Sequence, residues 1–352
     1  MSVILTLGPS PGVLRRRVGG MYAVLAAFNI GAWIWAFMAF HGQPLLLSAG
    51  LLAWGFGLRH AVDADHIAAI DNVTRKLMQE GQRPVTVGFF FALGHSLVVL
   101  IVSAMVAVTA IALESRLAAW RGIGGLISMS VSALFLFLVA GMNIVILRGV
   151  WRAFGKVRRG ESYSDDDLDI LLNDRGVLAR IFRPLLRLVS APAWMLPVGF
   201  LFGLGFDTAT EVSLLGMSAT QAAHGLSMSA ILVFPALFAA GMALIDTTDG
   251  ILMLGAYDWA FVHPVRKLYY NLTITLVSVL VAVLIGGIEI LGIVHDKYPF
   301  TGLFWDAIGS LNDNFNNLGF VIIGVFAASW IASWAIYRAK GYDKLGAAGA
   351  GG

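Results

Sequence analysis

The sequence contains no cysteine and few charged residues, and both absences limit what the protein can be. Without cysteine the chain has no disulfide, no thiolate metal site and no cysteine nucleophile. Only 13% of its 352 residues are charged, whereas 58% are hydrophobic, which is more apolar surface than a soluble domain of this length can bury. The composition therefore places the chain in a lipid bilayer.

A phosphate-binding loop is also absent. The nearest candidate runs from Gly149 to Lys156, but it has five residues between its glycines and Val157 where a Ser or Thr would bind magnesium. We therefore expect no ATPase domain in this chain. The net charge of +3 gives no reason to infer nucleic-acid binding, because the basic residues follow a membrane pattern described below.

Long apolar segments alternate with shorter polar ones along the chain. Eight of these segments are long enough to cross a hydrocarbon core as helices. A β-barrel would instead show short segments of alternating hydrophobicity. The predicted spans are roughly residues 21–40, 45–72, 86–113, 123–147, 194–216, 228–254, 269–293 and 318–338. The predicted fold class is an all-α, polytopic membrane protein with eight transmembrane helices.

The distribution of basic residues predicts how the helices are oriented. Of the 24 Lys and Arg residues, 20 fall on one side of the predicted membrane, and only Arg116, Arg121 and Lys297 fall on the other. Because basic loops are retained in the cytoplasm, both termini should be cytoplasmic. We expect a multi-pass protein of a bacterial cytoplasmic (inner) membrane.

One long polar connection divides the chain into two halves. The predicted organisation is a cytoplasmic N-terminal tail (1–20), a first four-helix membrane half (21–147), a cytoplasmic loop (148–193), a second four-helix half (194–338) and a cytoplasmic tail (339–352).

Acidic residues inside the predicted spans are the main anomaly. A charged residue at a helix centre costs about 2.5 to 3.5 kcal/mol on insertion scales, so each of them needs a partner or a wet cavity. They are Asp63, Asp65, Asp71, Asp207, Glu211, Asp246, Asp249 and Glu289. The default interpretation of such a set is an ion pathway.

The densest group of these residues lies in the second span. There, two imidazoles and two carboxylates occur between His60 and His66. On a regular helix His60, Asp63 and His66 occupy an arc of about 120° and can face one cavity. Asp65 projects about 100° away from His66, so it serves a neighbouring helix or reaches the site through local unwinding. Imidazole with carboxylate suits nickel, cobalt and zinc, whereas magnesium and calcium prefer oxygen alone.

Polar residues in other spans extend the pattern. His95 lies in the third span, where a single histidine by itself is more often structural than a ligand. Asp207 and Glu211 share a face of the fifth span, and Asp246 and Asp249 lie about one turn apart in the sixth. Each pair alone could clamp two helices together. Four spans with polar groups at mid-membrane are more simply explained by one shared cavity.

Two further signals concern contacts between helices. Gly199 and Gly203 form a GxxxG pair that would let another helix approach closely. Asn29 in the first span either supports the cavity or makes a hydrogen bond between helices.

The segments that carry these residues resemble the NiCoT family of nickel/cobalt permeases, in particular its high-affinity, nickel-selective members. The resemblance covers nearly the whole chain. It rests on the His-x4-Asp-His signature in Arg59 to Ile67, and on the segments Phe91 to Val98, Leu204 to Glu211 and Gly241 to Asp249.

The resemblance implies uptake of Ni²⁺, and in some members Co²⁺, as cargo rather than as a cofactor. It implies that His60, Asp65 and His66 are the critical metal residues. Val62 lies where family members vary between Val and Phe, and Val resembles the nickel-selective choice. The predicted metal residues are His60, Asp63, Asp65, His66 and His95, and the predicted supporting residues are Asn29, Asp207, Glu211, Asp246 and Asp249.

The sequence thus favours a secondary transporter that imports Ni²⁺, driven by the membrane potential or a proton gradient. The alternative is a membrane-embedded acyltransferase, because His60 and Asp65 have the His-x4-Asp spacing of such enzymes. In that case His60 would act as a base towards the acyl acceptor. Such motifs lie at the membrane surface, however, and would not explain the acids of the fifth and sixth spans. The sequence leaves four points open. They are the selectivity for nickel over cobalt, proton coupling, the oligomeric state, and whether Asp63 or Asp65 is a direct ligand.

Overall fold

The computed structural model describes residues 11–108, 114–159, 189–204, 209–260, 264–298 and 300–340. Within these ranges all the regular secondary structure is helical. A short 3₁₀ helix is present at Pro192–Trp194. The α-helices are α1 (Pro11–Ala39), α2 (Pro44–His60), α3 (Ala64–Gln79), α4 (Val87–Val108), α5 (Glu114–Arg158), α6 (Met195–Phe202), α7 (Ala209–Ala223), α8 (Met228–Ile231), α9 (Val233–Ala260), α10 (Pro264–Lys297), α11 (Leu303–Asp313) and α12 (Phe315–Ala339).

The predicted spans agree with the helices in most of the chain. Within the described ranges, six helices are long and apolar enough to cross a membrane, and seven spans result if α2 and α3 count as one bent span. The predicted fifth span, 194–216, is instead divided between α6 and α7, with residues 205–208 outside the described part. The eight-span topology and the cytoplasmic position of both termini remain predictions.

Helix α5 extends further than the sequence pattern indicated. It ends at Arg158 rather than near residue 147, because the segment that follows contains no proline to stop it. Most of the predicted cytoplasmic loop, residues 160–188, lies outside the described residues.

The second predicted span is broken in its middle. Helices α2 and α3 meet at an angle of 53°, and residues 61–63 connect them. The break leaves few backbone groups unpaired, because the N–H groups of Val62 and Asp63 donate to the carbonyls of Arg59 and His60 at 3.0 and 2.9 Å. The arc predicted for a regular helix is therefore wrong in its geometry, although the break still brings both ends of the segment to one place.

Helix α9 occupies the centre of the molecule. It packs against α1, α2, α3 and α4, and α4 in turn packs against α6. A second layer is formed by α5 and α10, which pack against each other, and by α3 and α12. The apolar core around α9 in the first layer includes Phe234, Phe238 and Leu237. The broken α2–α3 segment belongs to both layers, since α2 packs against α9 while α3 also packs against α10 and α12, and it can carry polar groups away from lipid.

Glycines allow the backbones around this segment to touch. Gly199 and Gly203 lie against the backbone of α4 at Phe91 and His95, which confirms the close approach predicted from the GxxxG pair. On the other side of α4, Gly88 lies against the carbonyl of Asp246 in α9, and a Cβ atom at this position would overlap that carbonyl.

We expect Gly88→Ala to separate α4 from α9 and to destabilise the protein by about 1–3 kcal/mol, the typical cost of overpacking. The measurement is thermal unfolding of the purified protein in detergent. Gly55→Ala is the matched control, since a Cβ there meets no atom within 4 Å and alanine favours a helix. Equal melting temperatures for the two variants would contradict the close contact.

Candidate metal site

Three buried histidines lie together at the break between α2 and α3. His60 is the last residue of α2, His66 lies in the first turn of α3, and His95 comes from α4. Each offers a nitrogen atom, and these three atoms all lie within 4.8 Å of one another. The Nε2 atoms of His60 and His95 are 2.9 Å apart. The structure thus brings together three residues that the sequence predicted as metal ligands.

Carboxylates contact the Nδ1 nitrogens of two of these rings. The Nδ1 atom of His60 lies 2.8 Å from Asp63 Oδ2, and the Nδ1 atom of His66 lies 3.4 Å from Asp246 Oδ1. In metal sites, a carboxylate on one ring nitrogen fixes the ring and directs the other nitrogen to the metal. His66 Nε2 has no hydrogen-bond partner in the described structure and is therefore available to an ion.

Helix α7 contributes a third carboxylate. Glu211 Oε1 lies 2.9 Å from His95 Nε2 and 3.8 Å from His60 Nε2. The neighbouring Thr210 Oγ1 lies 3.3 Å from His60 Nδ1. The sequence identified Glu211 from its position in a span but missed Thr210, because a threonine in an apolar helix carries no signal of its own.

The break in the helix settles where Asp65 lies. Its carboxylate accepts the backbone N–H of His66 at 2.9 Å, and its side chain lines the cavity described next. The break brings Asp65 to the cavity wall, as the alternative of local unwinding predicted. A carboxylate in the first turn of α3 also offsets the positive end of that helix, which would otherwise repel a cation.

A cavity of about 440 Å³ extends from the histidines towards α11 and the end of α10. His60, Asp63, His95 and Glu211 line its inner end. Its wall includes Ser132 and Glu289, whose hydroxyl and carboxylate oxygens lie 2.6 Å apart. At the α10 and α11 end the cavity is lined by Asp296, Asn312 and Asp313. Glu289 was recognised in the sequence as an acid inside a span, but nothing there linked it to this cavity.

The remaining predicted residues lie apart from the histidines or cannot be placed. Asn29 donates to the carbonyl of Ala240 at 3.1 Å and accepts from the indole of Trp54 at 2.9 Å, so it connects helices and does not line the cavity. Of the two roles that the sequence left open for Asn29, the hydrogen bond between helices is the one that these contacts show. Asp249 lies one turn beyond Asp246 in α9 and makes no described contact with the three rings.

Two further predicted positions complete the set. Val62 lies within the break, where its carbonyl packs against Gly319 of α12. Asp207 falls on residues outside the described part of the chain.

The donor set determines which ions the cluster can hold. Three imidazoles with nearby carboxylates provide nitrogen and oxygen ligands, a combination that suits nickel, cobalt and zinc. The cluster is enclosed by packed helices rather than exposed on a surface. The cluster thus suits a divalent metal ion of intermediate softness and is shielded from lipid.

Comparison with known proteins agrees with this chemistry. Residues 46–336 match the NicO family model, described as high-affinity nickel-transport protein. The chain is 58% identical over 334 residues to a protein of Cupriavidus necator named high-affinity nickel transport protein, covering 95% of each chain. No solved structure matches the chain.

Other relatives are named for related roles. The chain is 51% identical to the hydrogenase nickel incorporation protein HupN of Bradyrhizobium diazoefficiens, over 90% of this chain and 83% of that protein. It is 38% identical to the cobalt transport protein NhlF of Rhodococcus rhodochrous, over 90% of this chain and 91% of that protein.

The contact between His66 and Asp246 can be tested by metal binding. We expect Asp246→Asn to weaken Ni²⁺ binding by about 10–100-fold, because the ring of His66 loses the carboxylate that orients it. Isothermal titration of the purified protein in detergent measures the affinity. Asp306→Asn removes an exposed carboxylate and should leave the affinity unchanged. An unaltered affinity in Asp246→Asn would exclude the orienting role.

Proposed function

Because the chain belongs to the high-affinity nickel-transport family, we propose that it carries Ni²⁺ across a membrane and binds the ion at His60, His66 and His95. The observation that carries this proposal is the convergence of three imidazoles from three helices within 4.8 Å. Several apolar helices of spanning length make it a multi-pass membrane protein. Relatives transport nickel or cobalt, so the metal is cargo, and no cofactor is indicated.

The spacing of the donors supports an ion shared by the rings. Imidazole–metal bonds are about 2.0–2.1 Å long for zinc. Two nitrogens 2.9 Å apart, as in His60 and His95, then subtend roughly a right angle at a common ion. Right angles between neighbouring ligands characterise the square-planar and tetragonal sites of Ni²⁺. Loading the ion thus requires His95 Nε2 to release both His60 Nε2 and Glu211 Oε1, while the spacing of the His60 and His95 nitrogens already suits a shared ion.

The cavity supplies a route to this site. Its far end is lined by Asp296 and Asp313, near the connection between α10 and α12, which the basic-residue distribution places outside the cytoplasm. Negative charge along this route attracts a cation and begins to replace its hydration shell. In this proposal the cavity is the external access path, and the ion reaches the histidines from the outside.

The membrane potential is a sufficient driving force for import. A doubly charged ion gains about 4.6 kcal/mol per 100 mV, twice the value for a single charge. That energy sustains a concentration ratio of more than about a thousandfold. Coupling to a proton gradient is the alternative source of energy, and measurements of uptake at a clamped potential distinguish the two.

The acyltransferase interpretation is excluded by the family. The family and the similar proteins are nickel transporters rather than enzymes. His60 also contacts Asp63 directly, at 2.8 Å.

We expect His66→Ala to abolish Ni²⁺ uptake, because the buried Nε2 atom of His66 has no hydrogen-bond partner to compete with the ion. The measurement is uptake of radioactive nickel by cells that carry equal amounts of the protein in their membranes. His224→Ala, at an exposed position, should retain normal uptake. Normal uptake in His66→Ala would remove this residue from the site.

Transport itself is tested in liposomes that contain only this protein. With an inside-negative potential, we expect accumulation of Ni²⁺, strong competition by Co²⁺ and weak competition by Mn²⁺, which binds nitrogen ligands less tightly. Zn²⁺ is included because the donor set alone does not exclude it. Liposomes that bind Ni²⁺ without accumulating it would contradict transport and favour a sensor.

A further inference from the structure

A buried polar network lies on the side of the histidines opposite the cavity. It is centred on α3, where every residue from His66 to Met78 is buried. Arg75 is nine residues from His66, which is about 14 Å along the helix axis. Within the described ranges, neither Arg75 nor its neighbours line the cavity that reaches the histidines. The site is thus open on one side and closed by packed polar residues on the other.

The first part of this network connects three helices through Asp71 of α3. Its Oδ1 accepts a hydrogen bond from the hydroxyl of Tyr257 in α9, and its Oδ2 accepts from Ser278 of α10 at 2.7 Å. Asp71 lies between His66 and Arg75 along the helix. An ion leaving the histidines along α3 would meet these three side chains first.

The second part adds helix α5. Asn72 Oδ1 accepts from Arg75 Nη2 at 2.9 Å and from Asn143 Nδ2 at 2.7 Å, while the Asn72 amide donates to the carbonyl of Ala68 at 2.6 Å. Four helices, α3, α5, α9 and α10, are therefore joined by side-chain hydrogen bonds in one layer. Movement of α3 relative to α5 requires these bonds to break.

Arg75 is the exceptional member of the layer. It is 1% exposed, yet its Nε and Nη1 atoms have no hydrogen-bond partner in the described structure. A buried guanidinium with unused donors is an unfavourable arrangement. A buried polar group without its full set of partners needs an explanation, and a functional role is one such explanation.

We propose that Arg75 is a gating residue that closes the cytoplasmic exit of the metal site. This inference rests on the proposed transport function. The hydrogen bond to Asn72 holds α3 in the closed position. The positive charge interacts with the carboxylate of Asp71 and reduces the attraction of that carboxylate for a cation approaching along α3. Release of Ni²⁺ then requires Arg75 to leave Asn72 and the layer to separate.

Cysteine labelling tests the closure directly, because the protein has no native cysteine and one engineered thiol is the sole target. Thr74→Cys places the thiol in the closed layer, where the Thr74 side chain is fully buried. Met129→Cys places it in the wall of the open cavity. A membrane-impermeant charged maleimide is applied to right-side-out or inside-out vesicles.

With Arg75 present, we expect rapid labelling of Met129→Cys from the outside and slow labelling of Thr74→Cys from either side. Adding Arg75→Gln should raise the labelling rate of Thr74→Cys from the cytoplasmic side by about tenfold or more, since closed gates open for roughly 0.1–10% of the time. Arg152→Gln, which neutralises an exposed arginine on α5, is the matched control and should change neither rate.

A readout of transport separates gating from folding. Arg75→Gln should keep the equilibrium affinity for Ni²⁺ within about twofold, because Arg75 is remote from the histidines. Entry of Mn²⁺, which the histidines bind weakly, should rise by about tenfold or more, because the exit no longer stays closed. Arg75→Lys keeps the charge and should restore part of the closure. If Arg75→Gln does not fold, Asn143→Ala, which frees Asn72 from α5, decides the question and should raise Thr74→Cys labelling in the same direction.

The outcomes distinguish this proposal from the one on which it rests. Absence of Ni²⁺ accumulation by the unmodified protein in liposomes overturns the transport function. The gating role alone is overturned if the unmodified protein transports Ni²⁺ but neither Arg75→Gln nor Asn143→Ala changes the rate at which Thr74→Cys is labelled.

Discussion

The break between α2 and α3 is the constraint on which the rest of the site depends. A continuous helix would carry His60 and His66 on a rigid rod, whereas the 53° bend turns the end of one helix and the start of the next towards the same point. It also brings the negative end of α2 towards a cation, while Asp65 offsets the positive end of α3. Backbone of this kind is tolerated in a bilayer only where protein surrounds it, which explains why α9, α4 and α12 pack tightly around it.

The sequence predicted the residues of the site better than their geometry. Buried charge is costly in lipid, so acids and histidines within apolar segments stand out against their surroundings. His60, His66, His95, Glu211 and Asp246 were all identified in this way, and the structure places them together. The bend could not be predicted, because residues 61–63 include neither Gly nor Pro. It depends on distant contacts such as Gly319 of α12 against the Val62 carbonyl, and such pairings leave no local pattern.

The helix count shows the same limit. Hydropathy recognises a long apolar helix such as α4 or α10 well, because length and composition are sufficient evidence. The segment 194–216 has the composition of one span but forms α6 and α7. Gly199 and Gly203 gave a signal of close packing, and that signal was correct, since α6 lies against the backbone of α4. Composition therefore predicts which segments are in the membrane, and small residues predict where helices touch, but neither predicts where a helix stops inside it.

The distribution of charge gives the proposed pathway a direction. On the side of the cavity, Asp65, Glu211 and Glu289 provide negative charge with no described Lys or Arg among the lining residues. On the other side of the histidines, the first basic group along α3 is Arg75, buried in the polar layer. In the proposed closed state a divalent ion is therefore drawn as far as the histidines. Beyond them Arg75 offsets the charge of Asp71, and the polar layer blocks the path. Binding at the histidines and separation of the polar layer must then be linked events. If the cavity and the exit were open together, an ion would cross without being bound, and the membrane potential would drive any cation through.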